Sequence, residues 1–187
     1  MKITEVRTRV VQWEGKTVPL PPHFCTNPMD LVSYRAASMG NFAFHGWVLV
    51  EIFTDSGLVG LGNAALAPVV TKSLIDTYLK PILVGADPWD TEFLWQQMYR
   101  RTMAFGRKGV ALTAIAAVDI ALWDLLGKDA KQPVYRLLGG RTKERIPVYA
   151  SRLYSMPIEE LRTEAQKYKD EGYKAMGNSI DLKLFTK

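Results

Sequence analysis

Cysteine is almost missing from this 187-residue chain, since Cys25 stands alone. An internal disulfide is thereby excluded, as is a cysteine-built metal cluster, and a reducing compartment fits. Cys25 reads as a packing residue rather than a reactive one. Also missing is an uninterrupted apolar run of the ~18 residues needed to span a bilayer. The opening MKITEVRTRVVQW alternates polar and apolar residues and lacks the solid apolar centre of a signal peptide, so the cytoplasm is the expected location. Nor is charge of one sign concentrated. The 24 Lys and Arg against 19 acids give +5, scattered along the chain with local groups at Arg100–Arg101, Arg107–Lys108 and Arg141–Arg145. Nucleic acid would want a denser patch interleaved with aromatics, so no nucleic-acid or membrane partner is expected. A small anionic substrate is an equally good use of mild positive charge.

What is present is an ordinary globular composition, 48% hydrophobic and 23% charged, which argues against disorder. The length suits one domain, or one domain and part of a second. Residues 2–13 read as a strand, with Ile3, Val6, Val10, Val11 and Trp13 among polar neighbours. The stretch 14–28 carries four prolines and neither helical nor strand period. Long loops of that kind are often functional lids, and His23 and Phe24 lie near its centre. Residues 42–62 read as a hairpin turning at Asp55-Ser56-Gly57, with Val48, Val50, Ile52, Leu58 and Leu61 covering one face of a three-stranded meander.

Helices are expected to cover that face. One runs from Pro68 to Leu79 and is stopped by Pro81; a second starts at Asp87-Pro88 and carries Phe93, Leu94, Trp95 and Met98. The result is an α+β domain. A third helix starts at Gly109, and its apolar residues, from Ala111 through Leu126, surround almost the whole circumference, as in a helix buried on most sides. Gly127, Pro133 and Gly139-Gly140 set boundaries at its end. Asp119 and Asp124 lie about 140° apart round this helix and form no paired acid site. Asp124 and Lys128 are an i,i+4 pair in the favourable order. Both acids are read as structural. After Gly140, Ile146–Tyr154 reads as a strand covered on both faces, Ser155-Met156-Pro157 opens a helix that Gly172 ends, and Tyr173–Met176 starts another strand. This is a β-α-β unit of a parallel α/β fold.

The run Ala114-x-Ala116-Ala117-Val118-Asp119-x-Ala121-Leu122-x-Asp124-Leu125-x-Gly127-Lys128, with Pro133-Val134 and Leu137-Leu138-Gly139 at fixed distances, resembles the signature of a known family. That family is the mandelate racemase and muconate lactonizing enzyme group of the enolase superfamily. The segment LKPILVGADP and the hairpin tail Gly57-Leu58-Val59-Gly60-Leu61-Gly62 are similar to the same group, so the resemblance extends over 1–176. It implies an N-terminal α+β capping domain at 1–140 and an incomplete start of a TIM-type barrel at 141–187. The loop around His23 and the segment Asn63-Ala64-Ala65 match two lid loops that close over substrate, and the long helix packs cap against barrel. The Pro-rich loop, Ser33-Tyr34-Arg35 and the strand WVLVE look most like sugar-acid dehydratases, of the L-rhamnonate branch. The resemblance further implies that a base removes the proton beside a carboxylate, that Mg2+ stabilises the enediolate, and that a hydroxyl then leaves.

The chain departs from that pattern at its end. In the family a Lys-x-Lys or Lys-x-Arg pair follows a run like GYKAM, whereas here Gly177-Asn178-Ser179-Ile180-Asp181 follows it. Lys174 and Lys183 are out of place for the base. The three carboxylate metal ligands and the His-Asp dyad belong to later barrel strands, and a barrel needs about 250 residues. The expectation is therefore that this polypeptide alone holds no catalytic Mg2+ and turns nothing over, with 177–187 a frameshifted or truncated tail ahead of the alternative, a deliberately excised domain. No catalytic or metal-binding residue is assigned. His23 and Arg35 are the candidate contacts to a polyhydroxy acid. Two alternatives stay open: a non-catalytic binding module that self-associates as a homo-oligomer, and a fragment of a racemase or cycloisomerase with the same cap.

Overall fold

A bulge decides which residues of the first strand reach the core. In this computed structural model, which describes residues 1–12, 46–65, 67–151 and 157–176, β1 (Ile3–Gln12) lies antiparallel to β2 (Gly46–Thr54). The register shifts between Ile3 and Glu5, so Ile3 and Val6 both turn inward despite their odd spacing. Beyond the bulge, Thr8 points in, while Arg7, Arg9 and Val11 point out. β3 (Val59–Ala64) completes an antiparallel sheet of order β1-β2-β3. The hairpin turns where the sequence places it: Gly57 N–H donates to Thr54 O and Thr54 N–H to Leu58 O, each at 3.1 Å.

One assignment in this sheet is corrected. Leu61 does not cover the inner face; it is 50% exposed on the outer one. The inward positions of β3 are Gly60, Gly62 and Ala64, because the long helix crosses there with its backbone against the strand. A Cβ on Gly60 or Gly62 would approach the carbonyl oxygens of Ala121 or Ala117 more closely than 3.0 Å, tighter than real Cβ contacts.

The first helical stretch also runs past its predicted stop. α1 (Pro68–Leu74) passes into a π-helical turn (Ile75–Leu79) and then α2 (Lys80–Leu83), so Pro81 lies within the stretch. Proline has no N–H for the i−4 carbonyl, and the widened turn absorbs the fault, with Lys80 N–H bonding to Ile75 O. α3 (Thr91–Thr102) starts later than Asp87. Asp87 instead shapes the turn before it, accepting Trp89 N–H at 3.0 Å on Oδ1. α1 and the long helix take the sheet's inner face, while α3 packs on that helix and on the π turn. Phe93 consequently stays 61% exposed.

The long helix, α4, covers Val110–Asp129. Ala114, Ile115, Val118, Leu122 and Leu125 pack with Val48, Val50 and Ile52 into one core. Truncating Leu122 there would cost about 2–5 kcal/mol. The helix is less enclosed than its composition predicts, since Ile120 is 49% exposed and Ala116 is exposed. The sheet and α3 cover only part of the circumference. Gly127 does not end the helix; it is helical and buried, and the chain folds back beyond it so that Gln132 N–H reaches Gly127 O at 2.9 Å. A short α5 (Val134–Leu137) follows.

The chain divides into two units, the first including the sheet and these helices, the second including residues 143–151 and 157–176. In the second, α6 (Ile158–Asp170) has Glu159 and Glu160 in its first turn. It ends at Gly172 (φ +90°), with Tyr173 N–H returning to Tyr168 O at 3.1 Å. The parallel pairing expected around it is present as a single bridge, Ala150 to Met176. Residues 146–149, read as strand, carry no strand pairing, and Ile146 is 78% exposed. Among the described residues of this unit, that bridge is the strand-type pairing present.

Candidate functional site

Register fixes which end of the sheet the connections leave from. Gln12 pairs with Gly46 and Val48 with Ala64, so residues 13–45 and the segment after Ala64 depart from the same end. The tight turn at Asp55–Gly57 lies at the other. α4 runs antiparallel to β3, since Gly62 meets Ala117 and Gly60 meets Ala121. Its N-terminus, and with it the turn 103–109 from α3, therefore also lies at the end from which the two expected lid segments leave.

Of the expected contacts, His23 and Arg35 fall outside the described residues. Asn63 and Ala64, read as lid, are instead the last residues of β3, opposite Leu49 and Val48. Gly62 packs closely on α4, and the strand continues through Ala64. The break comes at Ala67, whose left-handed backbone (φ +43°) precedes Pro68 and whose carbonyl accepts Thr71 N–H at 2.9 Å. A non-glycine residue held there marks local strain.

Polar groups near this core are matched internally. Thr8 Oγ1 donates to Asp76 Oδ1 at 2.6 Å and accepts from Lys72 Nζ at 3.0 Å, while Lys72 also pairs with Asp76. This half-buried triad ties α1 and the π turn to β1. Arg9 meets Glu51 at 2.8 Å on the outer sheet face, and the Arg7 guanidinium lies 4.7 Å from the Phe53 ring centroid. Arg100, Arg101, Arg107 and Lys108 are exposed, and none meets a carboxylate within 4.0 Å among the described residues.

Asp119 has a displaced titration. Burial beside the apolar surface of α4, and then the like charge of Glu92 on α3, hold its carboxyl above the ordinary 3.8. No third His, Cys, Asp or Glu joins it: no group of three such side chains comes together among the described residues. The donor set that Mg2+ requires, several convergent oxygens, is thus not assembled by them. Open grooves among the described residues lie elsewhere. One of about 460 Å³ lies at the far end of α4 against Lys128, Lys131 and Gln132; another of about 1060 Å³ lies along α6 beside Gln166, Lys169 and Met176.

Sequence reasoning missed two features here. The role of Gly60 and Gly62 was signalled by two glycines at strand period, the mark of a close backbone approach. The triad of Thr8, Lys72 and Asp76 had no such signal, because Thr8 lies 64 and 68 residues from its two partners.

Comparison with known proteins agrees with this architecture. A profile described as the mandelate racemase/muconate lactonizing enzyme N-terminal domain matches residues 28–139. The D-galactonate dehydratase family member RspA of Cellvibrio japonicus is 41% identical over 133 residues, 70% of this chain and 32% of that protein. The arabinonate dehydratase of Saccharolobus solfataricus is 38% identical over 141 residues, 73% of this chain and 38% of its own length. This chain thus spans about a third of the curated relatives it matches. Among solved structures, a racemase from Streptomyces coelicolor A3(2) with bound magnesium superposes with a TM-score of 0.73 at 30% identity, covering 97% of this chain and 48% of that one.

Proposed function

The chain belongs, through its N-terminal domain, to the mandelate racemase/muconate lactonizing enzyme family of the enolase superfamily, and from that premise we propose that it is the substrate-selecting cap of a sugar-acid dehydratase. The observation that carries the reading is that the C-terminal ends of β1 and β3 lie at one end of the sheet, so the connections that follow them can flank one substrate. The names of the galactonate-family and arabinonate relatives support a polyhydroxy acid as that substrate.

In this reading the cap excludes water and selects the sugar acid, with His23 and Arg35 as its contacts by hydrogen bonding and charge. The reaction is a lyase step: a proton leaves the carbon beside the carboxylate and a hydroxyl departs from the next carbon. Magnesium, when bound in such an enzyme, stabilises the enediolate. Its ligands and the acid/base groups belong to barrel sequence outside the match, so the isolated chain is inactive and the boundary lies near Gly140. Its place is the cytoplasm.

Dehydration of D-galactonate and D-arabinonate is assayed with Mg2+, first with the pure chain and then after mixing with a separately expressed barrel portion of the arabinonate dehydratase. Turnover is expected only in the mixture, and the H23A and R35A variants should change the ratio of kcat/KM for the two acids. Turnover by the pure chain would refute its inactivity. A mixture that neither associates nor reacts would refute the cap reading.

A second reading, self-association without catalysis, draws on Ile146 and Val148, which are 78% and 68% exposed at the start of the second unit. Light scattering after size exclusion tests it, a clean monomer counting against it. Racemase or cycloisomerase ancestry uses the same cap, and racemisation rather than dehydration by the mixture would favour it.

A further inference from the structure

Beyond α5 the backbone exchanges its own hydrogen bonds for solvent. Gly140 N–H still reaches Tyr135 O at 2.8 Å, and Gly139 and Gly140 then carry the chain away with φ of +109° and +90°. The next nine residues, 141–149 (RTKERIPVY), form no helix or strand, and all nine are exposed. Among the described residues no backbone–backbone hydrogen bond engages any of them; the next in the chain is Ala150 N–H to Ala175 O at 3.0 Å. Pro147 has no N–H to offer and biases Ile146 before it toward extended backbone. The run is thus open and basic, with Arg141, Lys143 and Arg145 at alternate positions.

An endoprotease must draw a run of extended backbone through its active site, and every backbone hydrogen bond within that run has to open first. That requirement separates these three basic residues from the other described ones. Most of the others lie inside β1 or the helices α1 to α6, where the backbone is paired throughout. Lys2 is held to the hairpin turn, its N–H donating to Asp55 Oδ1 at 2.8 Å and its carbonyl accepting Asp55 N–H at 3.0 Å. The turn carrying Arg107 and Lys108 is tied where Phe105 and Gly106 N–H both donate to Thr102 O, at 3.0 and 2.8 Å. Lys131 N–H bonds to Lys128 O at 3.2 Å, and Lys174 stands between two bonded residues, Tyr173 and Ala175. In 141–149 nothing comparable has to break.

We propose that Arg141–Arg145 is the site at which an endoprotease specific for basic residues cuts the folded chain. The step is a hydrolysis: water adds across the peptide bond after Arg141, Lys143 or Arg145, leaving a carboxylate on that residue and an amine on the next. The basic side chain supplies recognition, and the unpaired backbone around it supplies access. A cut here spares the core, whose buried residues run from Ile3 to Leu125 with no member after α4. The proposal stands apart from the cap reading, since it uses only the exposure and the backbone of this segment.

The test is limited digestion of the folded 187-residue chain with a trace of trypsin, the products read by intact mass after quenching. Products ending at Arg141, Lys143 or Arg145 are expected at least about tenfold faster than products of a cut after any other described basic residue. The R141Q/K143Q/R145Q variant removes recognition and leaves the backbone open, so trypsin should lose these products while subtilisin, which needs no basic residue, still cuts within 141–149. Hydrogen exchange of the uncut chain should find the amides of 142–146, 148 and 149 unprotected beside those of α4. Faster trypsin cuts at another described basic residue, protected amides across 141–149, or a variant that subtilisin leaves intact there would each overturn the proposal. The nicked chain should keep its cooperative urea transition, followed by its tryptophans, all of which precede the cut. Loss of that transition would refute the sparing of the core.

Discussion

Asp124 Oδ2 accepts the backbone N–H of Leu61 at 2.8 Å, reaching from the long helix to the free edge of β3. Lys128 completes the clamp, pairing with Asp124 at 2.6 Å and donating to Val59 O at 2.7 Å. An exposed strand edge is a template for unwanted pairing, and here one acid and one base occupy two of its backbone groups.

Replacing Asp124 by alanine should therefore destabilise the chain by about 1–2 kcal/mol, because an edge N–H and an ammonium lose their acceptor together. Asp124→Asn keeps an acceptor and should cost less. Urea denaturation followed by tryptophan fluorescence gives the difference; an unchanged midpoint for the alanine variant would refute the clamp.

Gly62→Ala should be far more severe, about 3 kcal/mol or beyond, since the new methyl meets the backbone carbonyl of Ala117 and the helix must move off the strand. Leu61→Ala, one residue away on the outer face, should stay within about 0.5 kcal/mol. Similar midpoints for the two variants would contradict the close approach.

Asp119 sets a pH dependence of definite sign. Its carboxyl titrates higher in the folded chain than the ordinary 3.8, so the folded state holds the proton more tightly. Its contribution to stability is thus most favourable below 3.8 and is lost as pH rises through the folded value. Asp119→Asn should stabilise the chain at pH 7 relative to the wild type, and that advantage should fade toward pH 3. Glu92→Gln should reduce the effect, since it removes the like charge opposite. Denaturation midpoints across pH 3–8 check this, and a constant difference would refute it.

Lys131 follows α4 with a left-handed backbone of φ +52°. Glycine adopts that conformation freely, so Lys131→Gly should raise stability by about 0.5–1 kcal/mol. Thermal unfolding measures it, and a fall in midpoint would be the contrary result.

The sequence by itself determined the elements with strong local signals. Alternation marked the strands, Asp55-Ser56-Gly57 fixed the hairpin, and Gly172 fixed the end of α6; the spacing from Ala114 to Gly139 identified the family. These follow from a few neighbouring residues, and periodicity records them directly. Tertiary structure decided what depends on partners distant in the chain. Leu61 faces outward because a helix some sixty residues later lies backbone to backbone on Gly60 and Gly62. Pro81 fails to stop its helix because a π turn absorbs the missing N–H. Asp124, read only as half of an i,i+4 pair, also guards a strand edge. Ile120 looked like core because composition gives the apolar surface of α4 but not how much of it neighbours cover.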